Sequence, residues 1–270
     1  MYQTTYIRAG SLAEAENLLR DNPDAKLISG GQTLVPTLRQ RLARASHLVD
    51  ILHLPELRGL FQDGEAVVVG ASTTHAEVAG SDLVRRSIPG LANLAGLIGD
   101  PSVRHLGTIG GSIANSDPAA DYPAALLALN ATVQTSKRSI VAADFFTGLF
   151  ETALDASEIV VRVSFPVPRR SAYEKFHQSA SRFALVGVFV AILADGSVRV
   201  AVTGAGPRVF RATAIEAALA RNFTSEAAES ASISAEDLNS DIHGSAEFRA
   251  HLVPVLAARA VARAHGGDPG

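Results

Sequence analysis

Apolar positions recur at helical spacing near the start of the chain. Leu12, Ala15, Leu18 and Leu19 share one face, and Ser11 stands three residues before Glu14, the spacing of a capping box. The run "AKLIS" that follows reads as a short buried strand. After Gly30-Gly31 the pattern predicts a helix from about Thr33, with Pro36 in the first turn, where proline is tolerated. "HLVDI" is the next strand, so the first 55 residues form a compact β/α arrangement.

"AVVVGAST" has strand character, and "TTHAEV" offers a second capping box, Thr74 with Glu77. A helical region is expected from about Pro89 to Ile98. The stretch 100–133 is rich in small residues, carries a second glycine pair and ends in the apolar helix "YPAALLALNA". "EIVVRVSFPVP" closes the region as a strand. From about residue 170 the pattern changes. "FALVGVFVAILADGSVRVAVTGAG" is two strands around Asp195-Gly196, a strong hairpin signal. Helices are expected over about 210–220 and 245–264, the latter capped by Ser245. The polar stretch 225–241 between them is expected to be exposed and partly helical.

Composition narrows the function. A chain of 270 residues is long enough for about two domains, and 47% hydrophobic content supports a sizeable core. The net charge of −3 and the lack of a long basic stretch argue against nucleic acid or an anionic membrane as the main partner. With no cysteine, the chain cannot form a disulfide or ligate zinc or an iron–sulfur cluster through thiolates. The eight histidines fall in no ligand spacing, so no metal site is expected. No basic-then-apolar leader and no run of about 18 apolar residues is found, and a cytoplasmic protein without a membrane span is the expectation.

The candidate chemistry lies in "SGGQT" (29–33) and "TIGGS" (108–112). Each sets two glycines beside a hydroxyl residue. Glycine reaches φ > 0 cheaply and lets successive N–H groups face one concavity, which accepts phosphate oxygens. Neither loop carries lysine or arginine, so the pair suits holding a diphosphate as a handle rather than cleaving it. The three-glycine fingerprint of a nicotinamide-binding Rossmann fold is missing. Asp121 could accept hydrogen bonds from a ribityl or ribose diol, or could cap the helix that follows. Asn115 could instead be a turn residue.

"TIGGSIANSDPAADYPAALLALNA" resembles the second FAD-binding segment of the flavoprotein (medium) subunits of molybdenum hydroxylases, the family of carbon monoxide dehydrogenase medium subunits and xanthine dehydrogenase FAD subunits. "KLISGGQTLVPTL" resembles its first segment, and "VTGAGPRVFRATAIEAAL" its C-terminal domain. The resemblance runs from about residue 3 to 264. It implies an α+β fold: a two-subdomain FAD-binding domain of the vanillyl-alcohol-oxidase/PCMH type (1–55 and 56–168), then a smaller α+β domain (169–270) with an antiparallel sheet and helices. It implies FAD bound by Leu27, Ile28, Ser29, Gly30, Gly31, Gln32, Thr33 and Leu34 of the first loop. From the second it implies Thr108, Gly110, Gly111 and Ser112, with Ile98 and Gly107 lining the cofactor. Asn115 and Asp121 match positions at cofactor hydroxyls, and Val160 and Lys175 positions near the rings.

One departure stands out. Where many relatives carry an acidic residue and then an aromatic, this chain has Arg182 and Phe183. Phe183 can stack on the flavin. Arg182 either raises the flavin's potential as a neighbouring cation or points to solvent. No residue qualifies as an acid–base catalyst. The resemblance implies an electron-transfer subunit beside a molybdopterin-binding large subunit and a small subunit with two [2Fe-2S] clusters, with NAD, oxygen or a quinone as acceptor. The rivals are a self-contained flavin oxidoreductase and a non-catalytic nucleotide-binding protein.

Overall fold

The computed structural model describes residues 2–266. The N-terminal part contains β1 (Thr5–Arg8), α1 (Leu12–Asp21), β2 (Lys26–Ile28), α2 (Leu34–Arg39) and β3 (His47–Asp50). Its three strands form a parallel sheet in the order β1-β3-β2, with Val49 opposite both Ile7 and Leu27. Ser11 caps α1 by accepting from Glu14 N–H, while the Glu14 carboxylate accepts from Gly10 N–H rather than closing the box on Ser11.

The middle part begins with the hairpin β4 (Leu60–Asp63) and β5 (Ala66–Gly70). Five short helices follow: α3 (His75–Gly80), α4 (Asp82–Ser87), α5 (Pro89–Gly96), α6 (Pro101–Leu106) and α7 (Ile109–Asn115). Then come α8 (Tyr122–Ala128), β6 (Thr132–Thr135), β7 (Ser139–Val141), α9 (Ala142–Phe145), the small pair β8 (Phe146–Gly148) and β9 (Glu151–Thr152), and β10 (Val160–Pro166). Strands β4-β5-β10-β6-β7 make an antiparallel sheet in that order. Thr74 closes the expected capping box with Glu77 in both directions.

The C-terminal part contains β11 (Arg170–His177), β12 (Ala184–Ile192), β13 (Val198–Thr203), β14 (Phe210–Arg211), α10 (Thr213–Arg221), α11 (Ser225–Glu229) and α12 (Ala246–Ala264). The antiparallel sheet runs β11-β12-β13-β14, and Gly196 takes φ +89° in the β12–β13 turn. The expected helix near residue 210 starts later, because Phe210 and Arg211 pair with Val202 and Ala201 first.

β12 is buried over nearly its whole length because both faces are covered. Val188 and Val190 pack into the core shared with α10–α12, whereas Phe189 and Ala191 join the core beneath α5 and α8. A strand covered on both faces reads as a continuous apolar run rather than an alternating one. The N-terminal side of this sheet is clamped to the middle part. Gly90 N–H donates to the buried Ser171 hydroxyl, and a Cβ on Gly90 would sit 2.9 Å from Ala172 N. Thr203 Oγ1 donates to Ala120 O at 2.6 Å.

Candidate functional site

A cleft of about 660 Å³ opens where the β2–α2 loop, the α6–α7 loop, the 114–121 segment and the β11–β12 turn converge. Its volume lies within the roughly 300–1,000 Å³ common for cofactor and ligand pockets. The two glycine pairs, some 80 residues apart in sequence, meet across it. Thr108 Oγ1 donates to Ser29 Oγ at 3.3 Å, joining the loops directly.

Two of the four paired glycines are required by space, not by φ. A Cβ on Gly30 would lie 2.0 Å from the Leu106 carbonyl oxygen, and one on Gly110 would lie 2.6 Å from the Ala71 Cβ. Gly31 alone has positive φ, +69°. At Gly111 a Cβ would meet only Thr108 Oγ1, at 3.1 Å, so that face of the helix turn is open toward the cleft.

The loops also differ in what they offer. Among the described residues, the N–H groups of Gly30, Gly31, Gln32 and Thr33 have no protein acceptor. Consecutive unpaired N–H groups at a concavity form an anion-binding nest. In the second loop the corresponding donors are used: Gly110 N–H by Ala71 O at 2.8 Å, Gly111 N–H by the Thr108 cap at 3.2 Å, and Ser112 N–H by Thr108 O at 3.0 Å. The expectation of two equivalent nests is therefore replaced by an asymmetric arrangement. One loop presents donors, and the other presents a wall without side chains, with the Ser112 hydroxyl beside it. Thr108, whose side chain and backbone cap α7, and Ala71 are responsible.

Of the residues anticipated from sequence, Leu27, Ile28, Ser29, Gly30, Gly31, Gln32, Thr33 and Leu34 line the cleft, as do Ile98, Gly107, Thr108, Gly110, Gly111 and Ser112. Asn115, Asp121, Val160 and Phe183 complete the lining, Phe183 at the rim with 45% exposure. Lys175 is not part of it. Its side chain is 3% exposed and its Nζ donates to Asp121 Oδ1 and to Arg182 O, each at 2.9 Å. A buried ammonium requires such partners, and they hold it behind Asp121 rather than in the cleft.

Asp121 stands at the N-cap position of α8, but its side chain makes no cap hydrogen bond. Instead its Oδ1 accepts from Lys175 and from the Tyr173 hydroxyl at 2.6 Å, leaving Oδ2 without a protein partner. Burial pushes its carboxyl above the usual carboxylate range, and the Lys175 ammonium and Tyr173 hydroxyl pull it back. Asn115 is the last residue of α7, and its side chain has no hydrogen bond among the described residues. Asp117 is the turn residue: its carboxylate accepts from Ala119 N–H at 2.8 Å.

Sequence reasoning passed over several lining residues. His75, one of the histidines in no ligand spacing, is buried in the wall, with its backbone N–H on Gly107 O and its ring against Tyr122 at 5.4 Å. Burial, aided by the Arg104 charge, lowers its pKa to about 4, so the imidazole is neutral near pH 7. Its Nδ1 and the buried Ser72 Oγ lack protein partners. The signal was present in "GASTTH", since a capped helix start directly after a buried strand fixes His75 on the first helical residue. Glu158 lines the cleft with its carboxylate fully engaged. Burial pushes its carboxyl up, but hydrogen bonds from Arg138, Thr135 and the Asp155 N–H outweigh that and bring it to about 2.

Among the described residues, no helix is long and apolar enough to cross a membrane. The family described as the FAD binding domain in molybdopterin dehydrogenase matches residues 2–168, and the CO dehydrogenase flavoprotein C-terminal domain matches residues 171–264. The chain is 34% identical to the carbon monoxide dehydrogenase medium chain of Hydrogenophaga pseudoflava over 267 residues, covering 93% of each. It is 36% identical to the nicotine 6-hydroxylase medium subunit of Paenarthrobacter nicotinovorans over 272 residues, covering 96% of each. The solved structure of Hydrogenophaga pseudoflava carbon monoxide dehydrogenase lacking the Mo-pyranopterin moiety of its molybdenum cofactor superposes with a TM-score of 0.89, at 35% identity and 98% coverage of both chains. The fold, the paired glycine loops and these matches together place the chain in the family of FAD-binding medium subunits of molybdenum hydroxylases, as a flavoprotein subunit of an oxidoreductase.

Proposed function

We propose that this chain carries electrons within a cytoplasmic molybdenum hydroxylase. Single electrons arrive from [2Fe-2S] clusters of a small subunit, after substrate oxidation on a molybdopterin-binding large subunit, and leave to NAD, oxygen or a quinone. FAD, when bound, takes up electrons singly or in pairs, which suits it to a junction between one-electron and two-electron carriers. Because the chain has no cysteine, an electron donor of the iron–sulfur type must sit on another chain.

The observation that carries the site assignment is the row of four unpaired N–H groups at Gly30, Gly31, Gln32 and Thr33 facing the bare surface of Gly111. The first loop holds the diphosphate through these donors, and Gly111 lets the phosphates approach closely. Ser112 and Asn115 supply side-chain hydrogen bonds, and Asp121 Oδ2 accepts from a cofactor hydroxyl. Ile98, Gly107 and Val160 shape the wall, and Phe183 lies against a flavin face. The residues 1–55 and 56–168 act as the two halves of the FAD-binding unit, and 169–270 closes the flavin end through the β11–β12 turn. Lys175 supports that end from behind.

Co-purification with the partner subunits, then substrate addition without oxygen, tests this reading. Loss of the visible flavin absorbance only when both partners are present supports it. Bleaching of the isolated chain's flavin by a small substrate of its own would instead favour a self-contained oxidoreductase.

A further inference from the structure

We propose that Lys175 is a positioning residue that ties the β11–β12 turn to the floor of the cleft and thereby sets where Phe183 stands. This deepens the proposed function, because it rests on Phe183 lying beside the flavin. The turn has little else to fix it. Residues 179–183 are exposed, and the internal bonds are Gln178 N–H to Phe183 O at 2.9 Å, Arg182 N–H to Gln178 O at 2.8 Å and a long Phe183 N–H to Ser181 Oγ at 3.3 Å. Arg182 takes φ +61°, a left-handed conformation that L side chains seldom adopt, so something outside the turn must hold it.

The Lys175 ammonium supplies that hold. From β11 it reaches the Arg182 carbonyl on one side and Asp121 Oδ1 on the other. Asp121 belongs to the middle part of the chain, so one side chain links the C-terminal turn to the segment under the cleft. The anchor is itself braced. Tyr173 donates to the same Oδ1, and its hydroxyl runs through space left by Gly187, where a Cβ would lie 2.2 Å from the phenol oxygen. The Arg182 side chain takes no part in the tether, since only its carbonyl is used. Charge beside the flavin and position of the turn are thus separable.

The scissile carbonyl for trypsin at Arg182–Phe183 is the one that accepts from Lys175. In the full-length chain without FAD, Lys175→Met is expected to raise cleavage at this bond about tenfold, because a charge-assisted hydrogen bond no longer closes the turn. Lys175→Arg, which keeps donors for both acceptors, is expected to restore protection. If Lys175→Met fails to fold because Asp121 is left unpaired, the double variant Lys175→Met/Asp121→Asn removes both charges and carries the same test. An unchanged rate, or an equal rise at every tryptic site, overturns the tether.

The FAD-loaded chain gives the second readout, the visible circular dichroism of bound flavin. Lys175→Met and Phe183→Ala should each alter it, and the combined variant should match Phe183→Ala alone, since neighbours acting through one another are not additive. Additive changes would mean that Lys175 acts on the flavin itself, which overturns the proposal. An unaltered spectrum in Phe183→Ala overturns the placement of Phe183 beside the flavin, while the tryptic result still decides the tether.

Discussion

Gly111→Ala separates cofactor binding from folding. A Cβ there meets only Thr108 Oγ1, at 3.1 Å, so the cap needs to give by only a few tenths of an ångström. The position lies inside α7, where alanine is favoured over glycine by about 1 kcal/mol. Stability should therefore hold or rise, by up to about 2–4 °C in Tm. The added methyl projects into the cleft at the bare wall opposite the free N–H groups of 30–33. Forcing one methyl into a fitted contact costs about 1–3 kcal/mol, which is roughly 5- to 150-fold in FAD affinity. Gly30→Ala is the converse. Its Cβ would be 2.0 Å from the Leu106 carbonyl oxygen, a backbone atom, so the two loops must part and the melting temperature must fall. Titration of the apo-protein by flavin fluorescence, with thermal melts alongside, reads both quantities. A Gly111→Ala protein that melts normally and binds FAD as tightly as wild type would refute this placement of the diphosphate.

Further outcomes follow from the same geometry. Arg182→Asp, tolerated at φ +61°, should lower the flavin potential by on the order of 10–50 mV if the cation lies near the ring, and an unchanged potential in a redox titration would put Arg182 in solvent. His75 has its folded pKa lowered to about 4 from an ordinary 6.5, so the unfolded chain binds the extra proton between these values. The stability it contributes is complete above pH 6.5 and is lost, by up to about 3 kcal/mol, as the pH falls to 4. His75→Phe should flatten the chemical-denaturation profile over that window, and an unchanged slope would argue against a neutral buried imidazole. Gly187→Ala should displace the Tyr173 hydroxyl from Asp121, lowering Tm with a new Asp121 environment visible by NMR, whereas a wild-type melt would contradict the packing.

Local signals reported elements well where the chemistry is local. The Thr74–Glu77 box and the Asp195-Gly196 turn depend on residues only a few positions apart, and both form as read. The segment carrying the second glycine pair was harder. Two helices, α6 and α7, lie within 101–115, but small residues and three glycines blur the apolar period there. The role of the glycines was also not legible. Positive φ is a property of one residue, whereas the need for Gly30 and Gly110 comes from Leu106 and Ala71, partners distant in sequence. The same holds for Lys175. Alternation in β11 does not show that its ammonium would be paired with Asp121, 54 residues away. Likewise the asymmetry of the two loops follows from Thr108 and Ala71 accepting the second loop's N–H groups, which only the assembled helix start displays.

The most direct measurement is a crystal structure of the chain with FAD bound. The account predicts diphosphate oxygens accepting from main-chain N–H groups within 30–33, pressed against the Cα of Gly111, with the Ser29–Thr108 contact preserved. A diphosphate lying outside this cleft, or glycine loops drawn apart with water between them, would contradict it.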